Sequence, residues 1–301
     1  MAYWQWGDPG SAHVVLCVHG LTRQGRDFDA LAQDLISRAG KPVRVVCPDV
    51  VGRGHSDWLG DPNGYQLPQY AADMLALLAQ LHGERPIETL DYVGTSMGGL
   101  IGIVLAGQKE LPLPVPIRRF VINDVGPTLD LAGLQRIGSY VGATSARFGS
   151  LPQAADALWA LSTTFGPHTP AQWLELSRHM VVPANERSVD GSAKLAPEGA
   201  SFGGDGSLVL HYDPAISTPF RALTAETAAQ AEAAIWALYD AISASTLLVR
   251  GAQSDLLSPA VARDMTQRGP RARLIEFDAV GHAPTFVDPA QSGAVAAFLL
   301  D

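Results

Sequence analysis

The segment Gly94-Thr95-Ser96-Met97-Gly98 has the residue types and spacing to do chemistry, a serine held between two glycines as G-x-S-x-G. Leu90 to Val93 ahead of it reads as a buried strand, and Leu100 to Ala106 behind it is apolar all round, as in a buried helix. A sharp strand-to-helix turn of this kind lifts a serine hydroxyl above the sheet edge. The glycines admit the turn and the close helix–strand approach, where a Cβ would clash. A serine so placed can attack a carbonyl carbon, provided that a base activates it and an acid orients the base. Downstream, Thr246 to Gly251 reads as a strand and runs into Ala252-Gln253-Ser254-Asp255, and Arg273 to Phe277 reads as another and runs into Val280-Gly281-His282. An acid thus follows one run and a histidine the next, both beyond the carboxyl ends of strands, where open α/β sheets carry their sites. Of the eight histidines, His282 is best set as general base, with a glycine before it and a strand upstream.

The elements that must position these groups alternate regularly. His13 to Val18 is a continuous apolar run, as expected of a strand covered on both faces, and Val43 to Pro48, Leu90 to Val93 and Arg119 to Asp124 read as further strands. Between them, helical periodicity appears at Phe28, Leu31, Ala32 and Leu35, and again at Ala71, Met74, Leu75, Leu78 and Leu81, with Pro68 placed to open the second helix. Such alternation predicts a mostly parallel sheet built of βαβ units. The pattern breaks after Gly126. Leu134, Ile137, Tyr140 and Val141 fit one helix, Ala154, Ala157, Leu158 and Leu161 a second, and Trp173, Leu174, Leu176 and Met180 a third. The Gly/Ser/Pro-rich stretch 183–206 reads as a loop or small hairpin, and strand–helix alternation resumes near Ala233. The expected division is a core of residues 1–126 and 231–301 around an inserted cap, 127–230.

Val18-His19-Gly20-Leu21, Asp49-Val50-Val51-Gly52-Arg53-Gly54-His55-Ser56, the G-x-S-x-G segment with Gly99, Gly251 to Asp255 and Gly281-His282 together resemble the α/β-hydrolase superfamily over nearly the whole chain. The overall look is that of its capped bacterial serine carboxylesterases. The fold this implies is α/β, a mostly parallel sheet flanked by helices with an inserted, mainly helical cap. The resemblance implies Ser96 as nucleophile, Asp255 as acid and His282 as base, in the order Ser, acid, His. Some members place the acid where Asp124 stands, so Asp124 is the competitor, and Asp278 is weaker still. The oxyanion hole implied is the backbone N–H of Met97 with that of Leu21. The segment Asp49 to Ser56 is a turn motif, read as structural.

The activity implied is hydrolysis of carboxylic esters through an acyl-enzyme, with small or medium acyl substrates; hydroxyalkanoate oligomers are one subclass. A carbon–carbon bond hydrolase of the meta-cleavage type, a cofactor-free perhydrolase, a lactonase or a thioesterase would use the same triad. A non-catalytic binding protein on the same scaffold is the rival from another class, although pure binding would not require all three residues. Arg23 and Arg26 could bind a substrate carboxylate, or serve in structural ion pairs. Tyr140, Trp159 and Trp173 could line the pocket, with Trp58, Phe148 and Phe165; the same aromatics equally suit core packing.

With 301 residues the chain can bury a large core without disulfides or metals. A net charge of −9 with no basic stripe argues against nucleic acid and anionic membranes as partners. The two cysteines, Cys17 and Cys47, lie in apolar runs and read as buried thiols, without metal-ligand spacing. Neither metal nor organic cofactor is expected, and the partner is a small-molecule ester, acted on by a monomer or homo-oligomer. The opening residues Met1 to Gly7 carry no basic segment followed by an apolar run, so the expected location is cytoplasmic.

Overall fold

A computed structural model describes residues 1–128, 133–134, 138, 141, 146–184 and 206–301. Its centre is a seven-stranded sheet in the order β1-β3-β2-β4-β5-β9-β10. The strands are β1 (Tyr3–Gly7), β2 (His13–Val18), β3 (Arg44–Pro48), β4 (Thr89–Thr95), β5 (Ile117–Asn123), β9 (Ser245–Gly251) and β10 (Arg273–Phe277). Only edge strand β1 is antiparallel, pairing Trp4 with Cys47. The other pairings are parallel and bring Val18 beside Gly94, Thr95 beside Asn123, and Gly251 beside Phe277. The carboxyl ends of β2, β4, β5, β9 and β10 therefore open along one edge, and the loops after them can converge.

Period-two alternation decides which face each strand residue covers. Val15, Cys17, Val93, Val121, Leu247 and Val249 point to one face, where α1 (Asp29–Arg38) and α9 (Pro289–Leu300) pack through Leu31, Leu35, Val295 and Leu299. Val14, Leu16, Tyr92, Phe120, Ile122 and Leu248 point to the other. That face is covered by α2 (Leu67–Glu84), α3 (Met97–Gly107), α7 (Ala225–Asp240) and α8 (Pro259–Gln267). The face expected for α2 is the one found, with Ala71, Met74, Leu78 and Leu81 buried and Leu75 at its margin. Cys17 and Cys47 are buried free thiols, and burial pushes the Cys47 thiol well up.

Between β5 and β9 lie α4 (Leu151–Ser162), α5 (Pro170–Arg178), the short α6 (Thr218–Arg221) and a small antiparallel sheet. That sheet has the order β6-β8-β7, from Arg147–Phe148, Leu208–Leu210 and Val181–Pro183. The cap segment is thus helical with a sheet in it. Of the stretch 183–206, read as a loop or small hairpin, residues 185–205 lie outside the described residues, as do Ile137 and Tyr140; the strands at its two ends, β7 and β8, pair antiparallel. The boundary expected at 230/231 falls inside α7, one continuous helix. The segment after β8 is clamped to the loop after β3. The Gly54 N–H donates to the His211 carbonyl at 3.0 Å, and the Asp213 N–H to the Gly52 carbonyl at 2.8 Å. Among the described residues no helix is long and apolar enough to cross a membrane.

Candidate active site

Ser96 sits between β4 and α3 with φ 51° and ψ −115°, a positive φ that a side-chain-bearing residue adopts only under strain. Its neighbours explain why the turn can be so tight. A Cβ on Gly98 would lie 2.0 Å from the Val18 carbonyl oxygen, and one on Gly94 would lie 2.3 Å from that of Gly98. Backbone is met in both cases, so nothing flexible could give way. The Ser96 N–H donates to the Asn123 carbonyl at 2.9 Å, which ties the turn to the end of β5.

His282, in the loop after β10, meets Ser96 Oγ with Nε2 at 2.9 Å. Its Nδ1 lies 2.8 Å from Asp124 Oδ2. This corrects the assignment of the acid: the carboxylate on His282 is Asp124, and Asp255 is an exposed residue in the wall of the adjoining cavity. The reason lies in the loop geometry. β5 is the strand next to β4, and Asp124 follows it with φ 57°, which turns its carboxylate across the end of β9. There Oδ1 accepts the Gly251 N–H at 2.9 Å, and Oδ2 accepts the Ser254 hydroxyl at 2.7 Å. From the Gly251 to Asp255 segment it is therefore the Ser254 side chain, with the Gly251 backbone, that touches the relay. Asp124 is fully buried. The cap side grips the histidine loop too. Thr164 donates its hydroxyl to the His282 carbonyl at 3.0 Å, and its backbone carbonyl accepts the Gly281 N–H at 2.6 Å.

The residues expected to supply the oxyanion amides, Met97 and Leu21, stand on the two segments that flank Ser96. Met97 is the first residue of α3, so its N–H has no intrahelical acceptor and lies at the positive end of the helix dipole. Leu21 follows Gly20, whose added Cβ would lie 3.7 Å from Ser96 Cβ. The Leu21 loop is held by His19, which is fully buried. Burial lowers the His19 pKa to about 3, so the ring is neutral. Its Nδ1–H donates to the Gly20 carbonyl at 2.7 Å, and its Nε2 accepts the Val50 N–H at 2.9 Å. This tautomer is the only one that satisfies both contacts.

A cavity of about 530 Å³ opens over Ser96 and His282. Leu158, Leu161, Phe165, Met180, Leu210 and Tyr212 make its largely apolar cap-side wall. Arg23 lines it, as expected, but is bound by the Asp27 carboxylate at 2.6 and 2.8 Å. Arg26 does not: its guanidinium is paired with Asp29 at 2.6 Å and stacked over Trp4 at 4.9 Å. Trp159 and Trp173 are also set back, edge to face at 5.0 Å in the cap's own core, with the Trp173 indole N–H donating to the Ala155 carbonyl. Flat apolar rings gain more from mutual packing than from a solvated wall. Tyr140 lies outside the described residues. No cluster of metal-ligating side chains occurs among the described residues.

Sequence reasoning passed over Ser254, Thr164 and His19. Ser254 had a signal, being a hydroxyl beside the favoured aspartate; Thr164 had none, because the cap reaches the histidine loop only through folding.

Comparison with known proteins gives the same fold. The profile of the alpha/beta hydrolase fold matches residues 13–289. A 3-hydroxybutyrate-oligomer hydrolase of Cupriavidus necator is 46% identical over 97% of this chain and 89% of its own length. Among solved structures, an alpha/beta hydrolase from Novosphingobium aromaticivorans is 34% identical with a TM-score of 0.77, covering 99% of this chain and 92% of that one. An esterase of Mycobacterium tuberculosis shares the fold at 23% identity, TM-score 0.69, over 99% of this chain and 89% of its own.

Proposed function

We propose that this chain, which belongs to the alpha/beta hydrolase fold family and is an ester hydrolase, cleaves oligomers of short hydroxy acids, with Ser96, His282 and Asp124 as its triad. The observation that carries the reading is the hydrogen-bond relay from Ser96 Oγ through His282 to Asp124 at the floor of an apolar-walled cavity. In the first step Ser96 Oγ bonds to the ester carbonyl carbon while its proton passes to His282 Nε2. The carbonyl oxygen becomes an oxyanion facing the Met97 and Leu21 amides. Asp124 holds the imidazole with Nδ1–H toward it and stabilises the imidazolium. Collapse breaks the bond to the leaving oxygen. In a hydroxy-acid oligomer that oxygen belongs to an aliphatic alcohol, a poor leaving group, so His282 must return its proton to it. Water then attacks the acyl-enzyme by the same route in reverse. The core of 1–126 and 231–301 would carry this chemistry, and the cap, 127–230, would set acyl size.

The test is initial rates on 3-hydroxybutyrate trimer and on p-nitrophenyl butyrate, for the wild type and Ser96→Ala. Both substrates should turn over, and the variant should lose several orders of magnitude in kcat, on the order of 10⁶-fold by analogy with serine proteases. Cleavage of the p-nitrophenyl ester alone would remove the oligomer reading and leave the esterase. No turnover of either by a folded wild type would sink both.

A further inference from the structure

The turn motif Asp49 to Ser56, read from sequence as structural, contains Arg53, whose side chain is 0% exposed. Buried guanidinium groups are normally paired with a carboxylate, because an unpaired charge away from water is costly. Arg53 has no carboxylate within ion-pair distance among the described residues. Asp213, which shares Tyr65 as a neighbour, is engaged by the Tyr65 hydroxyl at 2.6 Å. The Arg53 donors go to neutral groups. Nε–H donates to the Leu21 carbonyl at 2.7 Å, and Nη1 to the Val51 carbonyl at 2.7 Å and the Tyr70 hydroxyl at 3.1 Å. Nη2 meets Met97 Sδ at 3.5 Å. The Tyr70 and Tyr65 rings lie 5.0 and 5.7 Å from its Cζ, so their π faces take part of the charge.

Two of these partners are informative. Leu21 and Met97 come from different loops, after β2 and β4, and they supply the two oxyanion amides of the reading above, on which this inference rests. We infer that Arg53 is the positioning residue of the oxyanion hole: it locks Leu21 and Met97 against each other and lends the site a buried, carboxylate-free positive charge. Holding the Leu21 carbonyl restrains rotation of that residue and so the direction of its N–H. Holding the Met97 thioether restrains the first residue of α3 in the same way. A donor fixed before the reaction need not reorganise as charge develops, which is where oxyanion holes gain their effect. The charge acts in the same sense, since it favours the anionic tetrahedral state over the neutral ester. The fold also ties this residue to substrate-side structure, because the Arg53 backbone bridges Tyr212, which lines the cavity.

The experiment compares Arg53→Met and Arg53→Lys with the wild type and Ser96→Ala on p-nitrophenyl butyrate. It measures kcat and KM separately, and inhibition by butane boronic acid, whose serine adduct is tetrahedral and anionic. Arg53→Met should lose about 10²-fold in kcat, comparable with losing one oxyanion donor, with KM within about threefold. Boronate inhibition should weaken by the same factor as kcat/KM falls. Arg53→Lys keeps the charge without the fork and should fall between. A folded Arg53→Met with kcat near the wild type, or a loss confined to KM, would overturn the inference. Should that variant not fold, Met97→Leu decides: it keeps the volume but removes the thioether, and kcat and boronate affinity should fall together by about fivefold. No change in Met97→Leu would overturn it equally. Failure of the hydrolase reading itself would look different, as absent wild-type turnover or full activity in Ser96→Ala.

Discussion

Replacing Asp124 by Asn separates the two candidate acids, and the structure says what the amide must do. The Gly251 N–H donates to Oδ1 at 2.9 Å, so the oxygen of the Asn side chain must take that position. An NH₂ group there would set donor against donor. The NH₂ group is thereby driven to the Oδ2 position, 2.8 Å from His282 Nδ1. Nδ1 must then accept, the imidazole carries its proton on Nε2, and Nε2 can no longer take the proton of Ser96 Oγ. In serine proteases the same change costs on the order of 10⁴-fold in kcat, which is about 5 kcal/mol of activation free energy. Asp255 stands in the exposed cavity wall while the carboxylate on His282 is that of Asp124, so kcat of Asp255→Asn should stay within about tenfold. The assay is kcat on p-nitrophenyl butyrate for both variants, with thermal melts to show that each is folded. The reasoning is refuted if Asp124→Asn keeps more than about a tenth of wild-type kcat while Asp255→Asn loses about 10³-fold.

Gly98→Ala should destabilise the fold and abolish activity together, because its Cβ would stand 2.0 Å from the Val18 carbonyl oxygen and force β2 and α3 apart. A loss of about 2–4 kcal/mol in urea unfolding is expected, and a variant as stable and active as the wild type would contradict the close-approach argument. The neutral, buried His19 makes a pH prediction. Its folded pKa, about 3, lies below the usual histidine value. Between those values the unfolded chain binds a proton that the native one does not, so stability falls as pH drops below about 6.5, by roughly 1.4 kcal/mol per unit from this group. His179, lowered to about 4 mainly by burial, acts in the same direction. Urea midpoints measured from about pH 7.5 down to about pH 5 should decline, and less steeply in His19→Gln; a flat wild-type profile would refute the assignment.

How much was legible from residues alone follows from how local each constraint is. The nucleophile was legible because the turn around Ser96 demands glycine at Gly94 and Gly98, within four positions of each other. The parallel sheet was legible because strands covered on both faces must be apolar where they are covered, as Val14 to Val18 of β2 and Phe120 to Ile122 of β5 are. His282 was legible from its place just beyond such a strand. The acid was not, for two carboxylates follow neighbouring strands, and the choice turned on the left-handed backbone at Asp124, which aims one across the end of β9. The pocket was not legible either. An aromatic or arginine written near the site in sequence can face the cavity or its own neighbours, and Trp173 and Arg26 took the latter course. Arg53 shows the same division: its motif was visible as a turn, but its contact with both Leu21 and Met97 exists only once β2, β3 and β4 lie side by side. Sequence determined the elements and the reactive serine through short-range sterics and periodicity. Tertiary structure decided which distant polar groups meet, because buried charges and hydrogen-bond donors find their partners only when the packing of the whole sheet has put them within reach.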